Sequence, residues 1–309
     1  MISIERLNSN NLDSFKKLNY DNLQNDKCDK DFLMYYNKEK FLNKVLLKKY
    51  VKIFMSNNIA IGYMWCDICV NEKVKIWALY IKEEYIHLLN KNTLKVNNQK
   101  KLVYDGANCR LKNTIMTKLN FIIKKKAIVM GLDINKYENN AVVDKLDKTI
   151  ELELLGILKK YYGLDSLNID IAVEMFIEGC DEALRCKIQN NVFDDKDRLP
   201  LGIYDIESDI MQDYYLPDLC LFIKLNNIAV GYGQVIYSSG IYTVVNFGII
   251  DIFRGYGLGK MLINEIVNSS KNANIDRLSI KVEEDNFIAE KLYKSIGFIE
   301  EYRVNQWEQ

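Results

Sequence analysis

Apolar residues recur at every second position through Ile2 and Ile4, and again through Ile171, Val173 and Met175. That is the spacing of a strand buried on one face. Each opening strand, Ile2–Leu7 and Ile171–Phe176, gives way to a polar, helix-like stretch. A pair of apolar runs follows in each half, Val51–Ile68 and Leu221–Tyr237, broken near the middle by Asn-Asn. Asparagine tolerates the left-handed backbone of a tight turn, so each run reads as a hairpin. A further strand comes next, Val74–Ile81 in one half and Tyr242–Ile250 in the other. Between the halves the pattern predicts two helices, Leu111–Met130 and Ala141–Tyr162, the second closed by Gly163 as its C′ residue. Beyond Tyr242–Ile250, residues Leu258, Met261, Leu262, Ile266 and Val267 share one helical face. An alternating strand, Arg277–Val282, and a helix from Asn286 to Gly297 complete the pattern.

The likeness of the halves extends to the letters. Asn57-Asn-Ile-Ala-Ile-Gly62-Tyr63 returns as Asn226-Asn-Ile-Ala-Val-Gly231-Tyr232, an offset of 226 − 57 = 169. The same offset lays Ile2-Ser-Ile-Glu5 on Ile171-Ala-Val-Glu174. Two matches at one offset, far apart in the chain, indicate a duplicated unit. The boundary falls near residue 165, giving domains 1–165 and 166–309.

Composition narrows the chemistry. With 42 basic and 42 acidic residues the chain carries no surplus for a phosphate backbone, so nucleic acid is not the expected partner. No apolar stretch reaches the roughly 20 residues that cross a bilayer, and the N-terminus lacks the pattern of a signal peptide. The seven cysteines form no framework, which suits a reducing, cytoplasmic setting. Cys66 and Cys69 sit three apart in a strand-like run, where they face opposite sides, so no metal or redox pair is expected. A single histidine, His87, leaves no histidine triad or multi-histidine metal site.

Strand Tyr242–Ile250 leads into Asp251-Ile-Phe-Arg254-Gly255-Tyr-Gly257-Leu258-Gly259-Lys260 and then a helix. A strand, a glycine-rich turn and a helix N-terminus together offer free N–H groups and the positive dipole end to a phosphate. The spacing is not GxGxxG, because Lys260 or Leu262 stands where the third glycine belongs. It is not a P-loop either, because Arg254 and Met261 break GxxxxGK[ST]. It is R-x-x-G-x-G, from Arg254 to Gly259. Downstream, Asn286, Ala289, Leu292, Tyr293, Gly297 and Phe298 spell N-x-x-A-x-x-L-Y-x-x-x-G-F. Asn286 starts the helix and Gly297 ends it. Asn286, Ala289 and Tyr293 lie on one face, and the small alanine leaves room for a thin chain along it.

The two motifs resemble the cofactor signatures of the GCN5-related N-acetyltransferase (GNAT) family, over roughly Ile171–Gln309. The halves together resemble its tandem members, in a mycothiol synthase-like arrangement with a degenerate first copy. The resemblance implies an α+β (α/β) fold in each half, a mixed and mostly antiparallel sheet flanked by helices. It implies acetyl-CoA as co-substrate with no metal, and a monomer or homodimer. Main-chain groups of Phe247, Gly248 and Ile249 would meet the pantetheine arm between two splayed strands. Arg254, Gly255, Gly257, Leu258, Gly259 and Lys260 would form the pyrophosphate loop, and Asn286, Ala289 and Tyr293 would line the arm. The implied reaction is direct attack of a primary amine, of a small molecule, on the thioester. Tyr293 would then be the general acid for the leaving thiolate. Glu283 and Glu174 are the candidate bases, with a water relay as the alternative and Asp205, Glu207 and Asp209 on the acceptor side. A protein or peptide acceptor, or a non-catalytic acyl-CoA sensor, are the other readings.

The ungapped offset sets Tyr85, Leu88 and Asn90 against Arg254, Gly257 and Gly259, and Thr117 against Asn286. Without glycine, and with Glu83 and Glu84 at its start, the first copy's segment would repel a pyrophosphate.

Overall fold

A computed structural model of the chain describes residues 2–25, 28–67, 72–94, 100–137, 146–163, 172–177, 181–193 and 199–309. The chain begins β1 (Ser3–Arg6), α1 (Leu12–Asn25), α2 (Phe32–Lys38), α3 (Phe41–Lys48), β2 (Val51–Ser56), β3 (Ile59–Cys66) and β4 (Lys73–Ile81). A 3₁₀ turn (Glu83–Leu88), β5 (Lys101–Ala107), α4 (Arg110–Lys118), β6 (Ile122–Asp133) and α5 (Lys148–Tyr162) follow. Next come β7 (Val173–Ile177), α6 (Glu182–Val192), α7 (Ile203–Ile210), β8 (Tyr215–Leu225), β9 (Ile228–Ser238) and β10 (Ile241–Ile249). The chain continues through a short 3₁₀ turn (Asp251–Phe253), α8 (Leu258–Asn272), β11 (Arg277–Glu283), α9 (Phe287–Ile296) and β12 (Ile299–Glu308). These elements form two compact units, Met1–Ile128 with Tyr302–Gln309, and Val129–Glu301. The boundary expected near residue 165 lies outside the described residues.

In the first unit the strand order is β1-β2-β3-β4-β5-β12, and in the second β6-β11-β10-β9-β8-β7. The hairpins pair antiparallel, whereas β4 with β5 and β10 with β11 are parallel. In each unit the strands pair in a mixed, mostly antiparallel way and are flanked by helices, as the resemblance implies. Each unit takes in a strand from beyond its own chain half: β12 pairs with β5 from Val304↔Ala107 to Glu308↔Val103, and β6 lies beside β11.

The repeated letters have physical causes. Asn57 and Asn58 take φ of 48° and 63°, and Asn226 and Asn227 47° and 67°, the left-handed pair of a two-residue hairpin turn. At Gly62 a Cβ would fall 2.3 Å from the Tyr80 carbonyl oxygen, and at Gly231 2.8 Å from that of Gly248. Adjacent strands therefore come too close for a side chain at either place. Gly231→Ala should lower the second unit's stability by about 1–3 kcal/mol, as overpacking does, read as a fall in thermal midpoint. An unchanged midpoint would show that β10 can simply move aside.

One expected element is different. The helix predicted over Leu111–Met130 stops at Lys118. Asn120 adopts φ of 65°, Phe121 N–H bonds back to the Met116 carbonyl at 2.9 Å, and residues 122–133 run on as β6. The left-handed asparagine closes the helix, and sheet pairing claims the branched residues after it. Gly163 ends α5 with φ of 67°, the expected C′ role. Among the described residues no helix is long and apolar enough to cross a membrane.

Candidate functional site

In the second unit β10 and β11 pair only at Thr243–Ser279 and Val244–Ile280. From there β10 bulges. Val245 faces Gln234 and Gly248 faces Tyr232, so Asn246 and Phe247 together stand opposite Gly233. Asn246 takes φ of 51° at the bulge. Past it β10 has no further register with β11, which is the parting expected of two strands that open a cleft. The Ile250 N–H donates to the Val230 carbonyl at 2.8 Å. Alternation along the strand then aims the Phe247 and Ile249 main-chain groups at the opened edge. The Ile249 carbonyl is already met there, by Arg254 Nε at 2.9 Å.

The glycine loop is built from that arginine outward. Arg254 also donates through Nη1 to Asp251 (2.8 Å) and through Nη2 to the Val192 carbonyl (3.2 Å), tying the loop to the end of α6. Its guanidinium thus shapes the loop from behind. Gly255 and Gly257 hold φ of 88° and 82°, a conformation costly for any side chain. Gly257 is also the N-cap of α8 and supplies no side-chain cap. Among the described residues, no protein acceptor takes the N–H groups of Gly257, Leu258 and Gly259. The Lys260 N–H, expected beside them, instead bonds to the Gly257 carbonyl at 3.0 Å. At Gly259 a Cβ would come no closer than 3.5 Å to Leu292, so internal packing does not itself demand glycine there.

The end of α9 nearest β11 is capped by Asn286, whose Oδ1 accepts from the Ala289 N–H at 3.1 Å. That leaves its amide nitrogen facing outward on an exposed residue. One turn beyond Ala289, Tyr293 is 6% exposed, its ring edge-on to Phe247 at 5.9 Å and tilted on Phe298 at 6.0 Å. Burial pushes its phenol well above the ordinary tyrosine value. No hydrogen-bond partner meets its hydroxyl among the described residues.

Residues 190–298 match the sequence model of the acetyltransferase (GNAT) family. The matched segment holds both the glycine loop and α9. The whole chain is similar in fold to a GCN5-related N-acetyltransferase from Sphaerobacter thermophilus, at 12% identity and TM-score 0.64, covering 100% of this chain and 95% of that one. A tandem GNAT protein from the clavulanic acid biosynthesis pathway matches at 10% identity and TM-score 0.57, over 100% and 98% of the two chains. A GNAT-family acetyltransferase from Colwellia psychrerythraea matches at 12% and 0.56, over 99% of each. At such identities the likeness is one of fold. No curated protein matches the chain by sequence.

Within the second unit the expected acids separate. Glu283 is exposed at the end of β11, where that strand parts from β10. Glu174 is exposed on β7, paired with Lys224, and β7 is three strands from β10, about 14 Å at ordinary strand spacing. The structure does not bring Glu174 to Tyr293. Of the acceptor-side acids, Asp209 on α7 joins a buried network that sequence reading missed. Arg185, 1% exposed on α6, donates to Asp209 and to Gln234 Oε1 (2.8 Å), which also accepts from Tyr232 (3.0 Å) and Asn246 (3.3 Å). Tyr214 donates to Asp209 at 2.5 Å, and burial, with that bond and charge, pushes its phenol up to about 12. Gln234, wholly buried, thereby links the bulge residue Asn246 to α6 and α7. Only Arg185, a charge among the apolar positions of α6, hinted at this in the sequence.

In the first unit, corresponding positions slip from the ungapped register. Gly62 pairs with Ile81 as Gly231 pairs with Ile249, so the offset is 169 on β3 and 249 − 81 = 168 on β4. Three hydrogen bonds align the helices. Asn113→Cys109, Asn120→Thr117 and Phe121→Met116 repeat as Glu290→Asn286, Gly297→Lys294 and Phe298→Tyr293, an offset of 286 − 109 = 177. Asn286 therefore corresponds to Cys109, not Thr117. Lys112 stands for Ala289 and the fully buried Met116 for Tyr293. Cys66 is buried, and burial pushes its thiol up to about 11, while Cys69 lies outside the described residues. His87 is exposed in the 3₁₀ turn.

Proposed function

We propose that residues 166–309 transfer an acetyl group from acetyl-CoA to a primary amine of a small molecule, and that residues 1–165 are a non-catalytic copy. The observation that carries this is the hydroxyl of the buried Tyr293, without a partner among the described residues, beside a strand edge left open at Phe247. The free N–H groups of Gly257, Leu258 and Gly259 suit a pyrophosphate at the start of α8. A glycine at 259 that packing does not require suits close approach by the same group. The open Phe247 edge suits the amides of a pantetheine arm, which would lie over Ala289 with the Asn286 amide nitrogen toward it.

The amine nitrogen attacks the thioester carbonyl carbon to form a tetrahedral adduct. As that collapses the C–S bond breaks, and the Tyr293 hydroxyl gives its proton to the departing sulfur. A lysine-like amine, with a reference pKa of about 10.4, first loses its ammonium proton to Glu283, directly or through a water, so that the neutral nitrogen can attack. The adduct nitrogen then sheds a second proton to solvent, from which Tyr293 is reprotonated. The first copy lacks both small residue and donor, since Lys112 and Met116 stand in their places.

Thiol release from acetyl-CoA, followed across a panel of small amines, tests this reading. We expect acceptor-dependent release with some members and none without protein. Saturable acetyl-CoA binding with no release for any amine or peptide would replace the enzyme by a sensor.

A further inference from the structure

In the second unit the Phe247 main chain faces an open cleft between β10 and β11. Its counterpart in the first unit, by the offset of 168, is Leu79 on β4. There β4 pairs with β5 only from Lys73↔Lys101 to Ile76↔Tyr104, so the strands part before Leu79, as β10 and β11 do. The Lys82 N–H donates to the Ile61 carbonyl at 2.8 Å, so alternation turns the Leu79 main chain into this second parting. The parting is not open. The Leu79 N–H donates to Asp29 Oδ2 at 3.1 Å, and the Leu79 carbonyl accepts from Lys112 Nζ at 2.7 Å. The two side chains bond to each other at 3.2 Å, with Lys112 6% and Asp29 0% exposed. Tyr104 from β5 donates to Asp29 Oδ1 at 2.7 Å, and Asn22 from α1 donates to Oδ2 at 2.8 Å.

We infer that the first unit holds a built-in ligand: the Lys112–Asp29 pair occupies the Leu79 strand edge that a secondary amide of an acyl-CoA arm would otherwise occupy. The match is chemical as well as positional. A secondary amide offers one acceptor and one donor to a strand edge, and here Asp29 is the acceptor and Lys112 the donor. Lys112 reaches this place because it stands in α4 where Ala289 stands in α9. A long chain fills what the alanine leaves empty. Farther out, between α4 and the 3₁₀ turn, a cavity of about 410 Å³ remains, walled by Glu83, Ile86, Arg110, Leu111 and Thr114. The comparison with Phe247 rests on the function proposed above, whereas the contacts on Leu79 do not.

Two variants of the full chain remove both charges together, so that neither is left buried alone. Lys112→Ala with Asp29→Ala empties the parting; Lys112→Met with Asp29→Asn keeps it filled. The probe is pantetheine, titrated calorimetrically after acetyl-CoA has saturated the second unit. Wild type and the Met/Asn variant should take up no pantetheine, and the Ala/Ala variant one equivalent. Uptake by wild type, or none by a folded Ala/Ala variant, would overturn the inference. If Ala/Ala does not fold, amide exchange in the wild-type chain decides. The Leu79 N–H should be protected with or without acetyl-CoA, and the Phe247 N–H only with it. An unprotected Leu79 amide overturns the built-in ligand. A Phe247 amide that ignores acetyl-CoA, with Leu79 protected, counts instead against the cofactor site in the second unit.

Discussion

Tyr293→Phe should lower kcat by about 10²–10⁴-fold, the usual contribution of a positioned proton donor, while KM for acetyl-CoA stays near the wild-type value. The substitution removes one oxygen and keeps the ring, so the contacts with Phe247 and Phe298 that build the cleft wall survive. At about 1.4 kcal/mol per tenfold, the loss is far larger than a change in packing at this position would give. Steady-state thiol release with the best amine of the panel measures it, and turnover equal to wild type would remove Tyr293 from the chemistry. The pH dependence separates the roles further. Burial raises the phenol above its ordinary value near 10, so it keeps its proton throughout neutral and mildly alkaline conditions. Any bend in the rate below pH 10 therefore belongs to another group and should persist in the Phe variant. For stability the sign is that of a raised acid. The folded chain holds this proton where the unfolded chain loses it, so the contribution is whole below the unfolded value near 10 and is lost as pH climbs past it.

Lys112→Ala should cost the first unit about 3–5 kcal/mol, because it strands the Asp29 carboxylate in a fully buried place. Urea unfolding at neutral pH reads the loss directly. Asp29→Ala added to it should cost much less than the sum of the two single variants, since the remaining charge goes with its partner. A single-variant cost below about 1 kcal/mol would mean that water reaches the pair, as at an exposed ion pair. Where the variants are folded, acetyl-CoA kinetics should match wild type, because Lys112 belongs to the first unit and the proposed chemistry to the second.

The hairpins were legible because Asn-Asn turns leave a local signature, and the loop and α9 because their glycines and caps sit at fixed spacings. Those same spacings fall inside the matched segment, residues 190–298. What the sequence hid depends on partners distant in the chain. Nothing local in Ile122–Asp133 says strand rather than helix; the left-handed Asn120 and the neighbouring strands decide it. The ungapped repeat misplaced Asn286 because the first copy is eight residues shorter by the time it reaches α4, which 177 − 169 counts. With that slip unseen, Lys112 could not be matched to Ala289. Glu174 looked equal to Glu283 by letter alone, and only the strand order parts them. The network of Arg185, Asp209, Gln234 and Asn246 joins four segments, so no window of sequence contains it.

The strand that pairs with β5 comes from residues 302–309, although the rest of that unit ends at residue 128. On a ribosome the first copy is thus translated early and finished late, its sheet short of an edge until the second copy has emerged. A gene cut at the repeat boundary would yield two proteins each missing a strand. The two halves of the sequence therefore do not coincide with the two units of the fold.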